Sequence, residues 1–207
     1  MIVDLHNHTI KYSQCSIIQP HILIENFIHN KIDGVCITEH NILWNEKEQK
    51  QLTDKYKDKI KIFFGMEVDT DIGHVLMFGS EIKEFKEAVE IAELVKKIDR
   101  KNTALIWAHP FRSNFNAANI LTKELVGNFD AIELYNGSLL KERLVYTEEK
   151  FNPYNVRFTG GSDTHASGMS VICATKFETS FDDISGLVQN LKFGNYEPVR
   201  LKRGWGI

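Results

Sequence analysis

The feature that most constrains the fold is a repeated alternation of short apolar runs with longer segments of helical periodicity. Such alternation is typical of β-α units whose strands form a parallel sheet. We predict strands at Ile2 to Leu5, Val35 to Thr38, Lys61 to Met66, Val75 to Phe78, Thr103 to Ala108, Ala131 to Leu134, Arg157 to Thr159 and Val171 to Thr175. These units indicate a closed or nearly closed α/β barrel, whose chemistry belongs to the loops at the C-terminal ends of the strands.

Three segments between the strands are predicted to be helices. Pro20 to Asn30 starts with a proline suited to a first helical turn, and Gly34 follows soon after it. Phe85 to Asp99 has an apolar face with spacings of three and four residues. Its members are Ala88, Ile91, Ala92, Val95 and Ile98. Asn45 to Lys57 is mostly polar, which predicts an exposed helix.

The length and the absence of linkers or repeats predict one domain over residues 1–207. Three cysteines without CxxC spacing indicate neither a disulfide framework nor a cysteine zinc site. We therefore expect a cytoplasmic protein, and no apolar run reaches the length of a membrane span.

The formal net charge of −3 gives no basic footprint for a nucleic-acid partner. Lys47 to Lys61 and Arg200 to Arg203 are locally basic. Charge runs of this kind are usually solvated faces, so binding of nucleic acid is possible but is not indicated by the charge.

Histidines and carboxylates recur where the predicted strands begin or end. They are His6, His8, Glu39, His40, Glu67, His74, His109, Asp163 and His165. A lone histidine is more often a surface or packing residue than a ligand, and we interpret His21 and His29 in the first helix in that way. The strand-end set is too consistent for chance, so the pattern predicts a metal centre.

The spacing of these residues explains how they could share ions. Side chains alternate along a strand with period two, so His6 and His8 point to the same side, as do Asp163 and His165. A carboxylate such as Glu67 can bridge two ions with its two oxygens. A mixed nitrogen and oxygen set suits Zn, Mn or Fe. Glu133 also ends a strand; of three roles, namely hydrogen bonding to a ligand, contacting substrate or lying at the rim, we favour the first.

Six short motifs together resemble the PHP (polymerase and histidinol phosphatase) family over nearly the full chain. The motifs are Asp-Leu-His6-Asn-His8-Thr, Asp33-Gly-Val-Cys-Ile-Thr38-Glu39-His40, Gly-Met-Glu67-Val, Gly73-His74-Val-Leu, Ala-His109-Pro-Phe-Arg112 and Gly-Ser-Asp163-Thr-His165. The resemblance implies a distorted (β/α)7 TIM-like barrel with two or three divalent metal ions. It also implies which residues hold each ion.

By position, the resemblance assigns a first ion to His6, His8, Glu67 and Asp163. It assigns a second to Glu67, His74 and His109, with Glu67 as the bridge, and a third to His40 and His165. Family members with a complete third site often have Asp or His where this chain has Ser13 to Ser16. We expect Cys15 to be a neutral loop residue beside a weakly held ion. Glu39 also replaces the usual Asp.

The expected activity is hydrolysis of a small phosphate mono- or diester, such as a nucleotide or a histidinol-phosphate-like compound. Arg112 follows His109 and could bind phosphate with its guanidinium fork, or form an ordinary surface ion pair. His165, or His40 without its metal, could be a general acid. Two alternatives are an amidohydrolase-type hydrolase, which also uses His-x-His, and a non-catalytic metal-binding PHP module.

Overall fold

A nine-stranded sheet organises the residues that the computed structural model describes, which are 1–112, 115–167 and 171–202. Its strands are β1 Ile2–Asp4, β2 Gly34–His40, β3 Lys61–Thr70, β4 Gly73–Phe78, β5 Ala104–Trp107, β6 Ala131–Asn136, β7 Phe158–Gly161, β8 Val171–Phe177 and β9 Tyr196–Lys202. Their order across the sheet is β7-β6-β5-β4-β3-β2-β1-β8-β9.

The sheet is mixed, so the predicted all-parallel sheet is wrong at two strands, β4 and β8. β1, β2 and β3 run parallel, as do β5, β6 and β7. β4 is antiparallel to both neighbours, and β8 is antiparallel to β1 and β9. Only Asp71 and Ile72 separate β3 from β4, which leaves no room for the crossover helix that parallel strands need. β9, which contains Pro198 and charged residues, is an edge strand that the apolar pattern did not reveal.

The two ends of the sheet approach each other through hydroxyl groups. Thr175 Oγ1 accepts a hydrogen bond from Gly160 N at 2.9 Å and donates to Gly160 O at 3.1 Å. Ser162 Oγ contacts the backbone of Cys173 in the same way, at 3.0 and 3.2 Å. A Cβ at Gly160 would lie 2.5 Å from Ala174 O, so the close approach requires glycine. The sheet is therefore a nearly closed barrel, which confirms the expected distorted α/β barrel.

Helices and short 3₁₀ turns connect the strands. They are α1 Pro20–His29, α2 Glu46–Tyr56, α3 Ile91–Lys97, α4 Lys123–Val126, α5 Lys141–Phe151 and α6 Ile184–Phe193, with 3₁₀ turns at Phe115–Ile120 and Asn152–Tyr154. The first two confirm the predictions, and Asn45 caps α2 by accepting a hydrogen bond from Glu48 N at 3.0 Å.

Within the described residues, no helix is long and apolar enough to cross a membrane. Arg203 of the predicted basic segment lies outside them.

The helix predicted from Phe85 to Asp99 is wrong in its first half. Residues 85–90 run beside the ends of β2 and β3, where Phe85 N donates to Asn41 O at 2.8 Å and Val89 N to Asp69 O at 3.0 Å. These bonds occupy backbone donors that a helix would use internally, so α3 starts only at Ile91. Ala88 is consequently exposed and does not belong to a buried helical face.

The inward faces of β2 and β3 change character along their length. Cys36 and Phe63 lie in one buried apolar cluster. Because side chains alternate, the same face of β2 continues to His40, and that of β3 continues through Glu67 to Asp69. The barrel therefore has an apolar half and, at the C-terminal ends of its parallel strands, a half that presents potential metal ligands.

Candidate metal centre

Every residue predicted as a ligand lies at this end of the barrel. Four overlapping groups have ligand atoms within 4.8 Å of one another. They are His8, His40 and His165; His6, His8 and Glu67; His6, His109 and Asp163; and His40, Glu67 and His74. The predicted residues are thus brought together. Because His6, His8, His40 and Glu67 each belong to two groups, the groups do not form three separate sites.

Glu67 is at the centre, and its two oxygens face different histidines. Oε1 lies 2.8 Å from His74 Nδ1 and 2.9 Å from His109 Nε2. Oε2 lies 3.3 Å from His6 Nε2 and 3.0 Å from His8 Nε2. The side chain is 1% exposed. This division of the two oxygens is the arrangement that a bridging carboxylate requires.

Asp163 completes the group around His6 and His8. Its Oδ1 atom lies 3.5 Å from His6 Nε2 and 3.4 Å from His8 Nε2. This oxygen is buried and has no hydrogen-bond partner. The backbone φ angles of Asp163 and His109 are +53° and +28°. Positive φ at such residues is costly, of order 1–3 kcal/mol, and is concentrated at functional sites.

The donor set fits a divalent cation. His6 Nε2 and His8 Nε2 face each other at 3.1 Å, beside the unpartnered Asp163 oxygen. His6 Nδ1 lies 2.9 Å from Glu133 Oε1, and His8 Nδ1 lies 3.2 Å from Ser13 Oγ. When these outer nitrogens carry the protons, two imidazole lone pairs and two carboxylate oxygens converge on one buried volume. Such a set suits Zn, Mn or Fe.

Glu133 contacts the outer nitrogen of His6, which is the position that the predicted hydrogen bond to a candidate ligand requires. Besides contacting His6, it accepts hydrogen bonds from His109 N at 3.0 Å and Asn136 Nδ2 at 2.9 Å. Gly161 permits this packing, because a Cβ there would lie 2.4 Å from His6 Cβ. One carboxylate therefore orients His6 and anchors the backbone of His109.

Opposite charges control the ionisation of the buried groups. Burial lowers the pKa of His6, but the carboxylates of Glu67, Glu133 and Asp163 outweigh it and hold that pKa well above its usual range. Burial raises the pKa of Glu67, but His6 and a hydrogen bond from His109 hold it well below its usual range. The pKa of Asp163 is lowered for a similar reason, against its burial. The centre therefore holds ionised carboxylates that attract a cation.

His40 and His165 differ from His6, because burial dominates. It lowers the pKa of His40 to about 4 and also lowers the pKa of His165. Both rings pack near His8, whose ring centroid lies 4.5 Å from each. His165 Nδ1 is 2.9 Å from the carbonyl oxygen of Asp163. Neutral imidazoles are suited to bind metal, whereas a general acid must be protonated.

Arg112 has a partner that the sequence did not indicate. Its Nη2 atom forms an ion pair with Asp163 Oδ2, and its side chain is 32% exposed. The same oxygen lies 3.3 Å from both Asn136 Nδ2 and Ser138 Oγ. Arg112 is therefore neither isolated nor an ordinary surface residue: it lies at the edge of the centre and leaves Asp163 Oδ1 free.

Sequence reasoning missed Asp69, because Glu67 was expected to end its strand. β3 continues to Thr70, paired with β4, and Asp69 Oδ1 lies 3.6 Å from His74 Nε2. Asn41 Nδ2 donates a hydrogen bond to the other carboxylate oxygen, Asp69 Oδ2, at 2.8 Å. The period-two spacing from Glu67 was a signal that could have identified it.

A cavity of about 430 Å³ opens beside the centre. It is lined by Tyr12, Ser13, Gln14, Cys15, His40, Asp69 and His74. Its size suits a small molecule.

His21 and His29 are exposed on α1, as expected for solvated residues, and they belong to none of the potential ligand groups among the described residues.

Solved structures with a similar fold have low sequence identity. A two-domain protein from Bacteroides vulgatus that contains a predicted PHP-like metal-dependent phosphoesterase matches with a TM-score of 0.72 and 16% identity. The match covers 96% of this chain and 64% of that protein, so this chain spans less than two thirds of it. PsfC from Pseudomonas syringae matches with a TM-score of 0.62 and 15% identity, over 96% and 90% of the two chains.

An amidohydrolase from Chromobacterium violaceum, whose structure holds sulfate and no metal, has a TM-score of 0.62 and 14% identity, over 80% and 88%. No curated protein matches the sequence significantly. The model of the PHP domain family matches residues 4–199, which include every residue of the candidate centre. The chain therefore belongs to the PHP domain family.

Proposed function

We propose that the protein is a metal-dependent phosphoesterase that hydrolyses a small phosphate mono- or diester. The observation that carries this proposal is the position of the Glu67 carboxylate. Its two oxygens face separate sets of histidines, and the nearby Asp163 Oδ1 has no hydrogen-bond partner. This arrangement supports two ions that share Glu67, with His8, His40 and His165 available for a third.

The roles of the side chains follow from their positions. His6, His8, Glu67 and Asp163 would hold one ion, and Glu67, His74 and His109 a second. Bound divalent ions would lower the pKa of a water molecule and neutralise the charge that develops on a phosphoryl group. Glu133 keeps His6 oriented. The exposed part of Arg112 would donate to phosphate oxygens at the edge of the centre.

We assign His165 first to the third ion, because its lowered pKa keeps the ring neutral. The general-acid role that the sequence also suggested for His165 requires a protonated ring, which the lowered pKa of the metal-free protein disfavours. The volume of the adjoining cavity, about 430 Å³, supports a small ester as the substrate, such as a nucleotide or a histidinol-phosphate-like compound.

An amidohydrolase-type reaction is the second candidate, because a similarly folded protein is an amidohydrolase and the same ligand types could activate water towards an amide. We favour phosphate esters because the PHP family model covers the whole centre. A third possibility is a PHP module that binds metal without turnover.

The direct experiment combines metal analysis with a substrate panel on one preparation. We expect at least two equivalents of Zn, Mn or Fe, and hydrolysis of p-nitrophenyl phosphate or its bis ester that is lost after chelation and restored by metal. Hydrolysis of p-nitroacetanilide but of neither phosphate ester would favour the amidohydrolase. Bound metal without turnover of any of these compounds would favour the non-catalytic module, and absence of metal uptake would contradict all three.

A third ion should leave before the two that share Glu67. His40 and His165 are 29% and 30% exposed, and the third member of their group, His8, also faces the buried pair. We expect graded chelation, followed by elemental analysis, to remove one equivalent first. Simultaneous loss of three equivalents would contradict this prediction.

Cys15→Ser should change neither the affinity nor the number of bound ions. Burial raises the pKa of the Cys15 thiol, which disfavours the thiolate that binds metal. Cys15 also belongs to none of the potential ligand groups in the described part of the chain. Selective loss of the third equivalent in Cys15→Ser, measured by elemental analysis, would instead make Cys15 a ligand.

A further inference from the structure

Glu39 is a fully buried carboxylate that accepts four hydrogen bonds. Its Oε1 receives Thr9 Oγ1 at 2.5 Å and Trp44 Nε1 at 3.1 Å. Its Oε2 receives Thr9 N at 3.0 Å and Ser13 Oγ at 2.5 Å. Four donors compensate the desolvation of a buried carboxylate and hold it in one orientation. Glu39 itself belongs to none of the potential ligand groups among the described residues.

Ser13 connects this carboxylate to the metal centre. Its Oγ lies 3.2 Å from His8 Nδ1 and accepts a hydrogen bond from His40 N at 3.3 Å. A serine hydroxyl has one proton to donate and two lone pairs to accept with. The short contact with Glu39 takes the proton, and the two longer contacts use the lone pairs. The hydroxyl is then fully used only if His8 Nδ1 carries a hydrogen.

This proton assignment determines which nitrogen of His8 is available to a metal. With hydrogen on Nδ1, the lone pair of the neutral ring is on Nε2, which lies 3.0 Å from Glu67 Oε2 and 3.4 Å from Asp163 Oδ1. The competing tautomer would place hydrogen on Nε2 and donate it to Glu67. That hydrogen would occupy the nitrogen that is to bind metal. Metal binding therefore requires an interaction that disfavours this tautomer.

We propose that Glu39 is a positioning residue that acts through Ser13 to keep His8 in the Nδ1–H tautomer, with Nε2 free to bind metal. The metal-binding part of this inference rests on the proposed metal centre, whereas the tautomer is a property of the metal-free protein. Glu133 performs the corresponding task for His6 by direct contact at 2.9 Å. His8 differs in that a hydroxyl stands between its ring and the carboxylate.

The test is Ser13→Ala, with Ser16→Ala as the matched control. Ser16 is a buried serine in the same loop whose hydroxyl contacts the carbonyl oxygens of His8 and His165 but no imidazole. The tautomer of His8 is read from the ¹⁵N shifts of its ring in metal-stripped protein, at a pH where the ring is neutral. Zinc affinity is measured by competition with a chelator.

We expect the parent protein and Ser16→Ala to show the Nδ1–H form. Ser13→Ala should shift His8 towards the Nε2–H form and weaken zinc binding by about tenfold to a hundredfold, the range typical when a group that orients a ligand is removed. Glu39→Gln should shift the tautomer in the same direction, because a neutral amide oxygen accepts the Ser13 proton more weakly than a carboxylate, and an amide nitrogen in that position would not accept it at all. Either orientation leaves the hydroxyl proton freer to be donated to His8 Nδ1.

Two results would overturn the proposal. One is an Nε2–H tautomer in the parent protein. The other is an equal loss of zinc affinity in Ser13→Ala and Ser16→Ala without a tautomer change in either, which would mean that the Glu39 network only stabilises the loop. The tautomer measurement needs no substrate, so it stands if the protein proves not to hydrolyse phosphate esters.

Discussion

Glu67→Gln is expected to remove the two neighbouring ions together and to reduce hydrolysis to the level of metal-stripped protein. The carboxylate faces His74 and His109 with one oxygen and His6 and His8 with the other. A neutral amide offers one oxygen and one nitrogen that already carries hydrogens, so it is a poor bridge between cations. The loss of affinity should exceed the roughly hundredfold upper range for residues that only orient ligands.

The matched control is Asp69→Asn, two residues along the same face of β3. It makes the same change from acid to amide, but the Asp69 side chain is 41% exposed. Its Oδ1 atom lies no nearer than 3.6 Å to His74 Nε2 and 3.9 Å to His40 Nδ1. Elemental analysis and calorimetric titration with zinc should show both ions retained there. Thermal unfolding in the presence of chelator would identify a Glu67→Gln variant that simply fails to fold. A folded Glu67→Gln protein that keeps both ions would show that Glu67 is not shared.

Local sequence pattern was sufficient to locate most residues of the candidate centre. His6 and His8 were predicted to share a side because strand residues alternate. Both lie beyond the end of β1 at Asp4, yet their Nε2 atoms are 3.1 Å apart, so the pairing was correct although the strand is shorter than predicted. The barrel then explains why candidate ligands from distant parts of the sequence meet, since parallel strands end at one rim. His40 and Glu67 are direct register partners on β2 and β3.

Other features depended on contacts that periodicity does not encode. Phe85 and Val89 have helical spacing with Ile91 and its neighbours, but their amides donate to Asn41, directly after β2, and to Asp69 of β3, and so are not available to a helix. β4 was identified as a strand, while its antiparallel direction follows from the two-residue connection to β3. Tertiary hydrogen bonds outweighed local helical preference in the first case, and loop length set the topology in the second.

The supporting network of the centre was the least predictable part. Ser13 and Asn136 are ordinary polar residues in the sequence, yet one contacts His8 and the other contacts both Glu133 and Asp163. Hydroxyl and amide side chains are common in loops, so their type alone does not distinguish a solvated residue from one that orients a ligand. Only the three-dimensional contacts make that distinction.

Arg112→Ala is expected to lower kcat/KM for phosphate esters by about tenfold to a thousandfold, the loss typical of a charge-assisted contact to a reacting group. Metal content should not change. Although Arg112 pairs with Asp163 Oδ2, that oxygen keeps Asn136 and Ser138 as neighbours, and Oδ1 faces the histidines without help from Arg112. The loss should therefore concern phosphate recognition and not assembly of the centre.

Two further variants separate this explanation from simpler ones. Arg112→Lys keeps the charge but not the guanidinium fork, so it should recover part of the activity. Arg100→Ala removes a cation that pairs with Asp130 ahead of β6, at the opposite end of the barrel, and should leave kcat/KM unchanged. Steady-state kinetics and elemental analysis on the same preparations decide the outcome. Loss of metal in Arg112→Ala would mean that Arg112 serves to position Asp163, whereas unchanged kinetics would reduce its role to that of a dispensable ion pair.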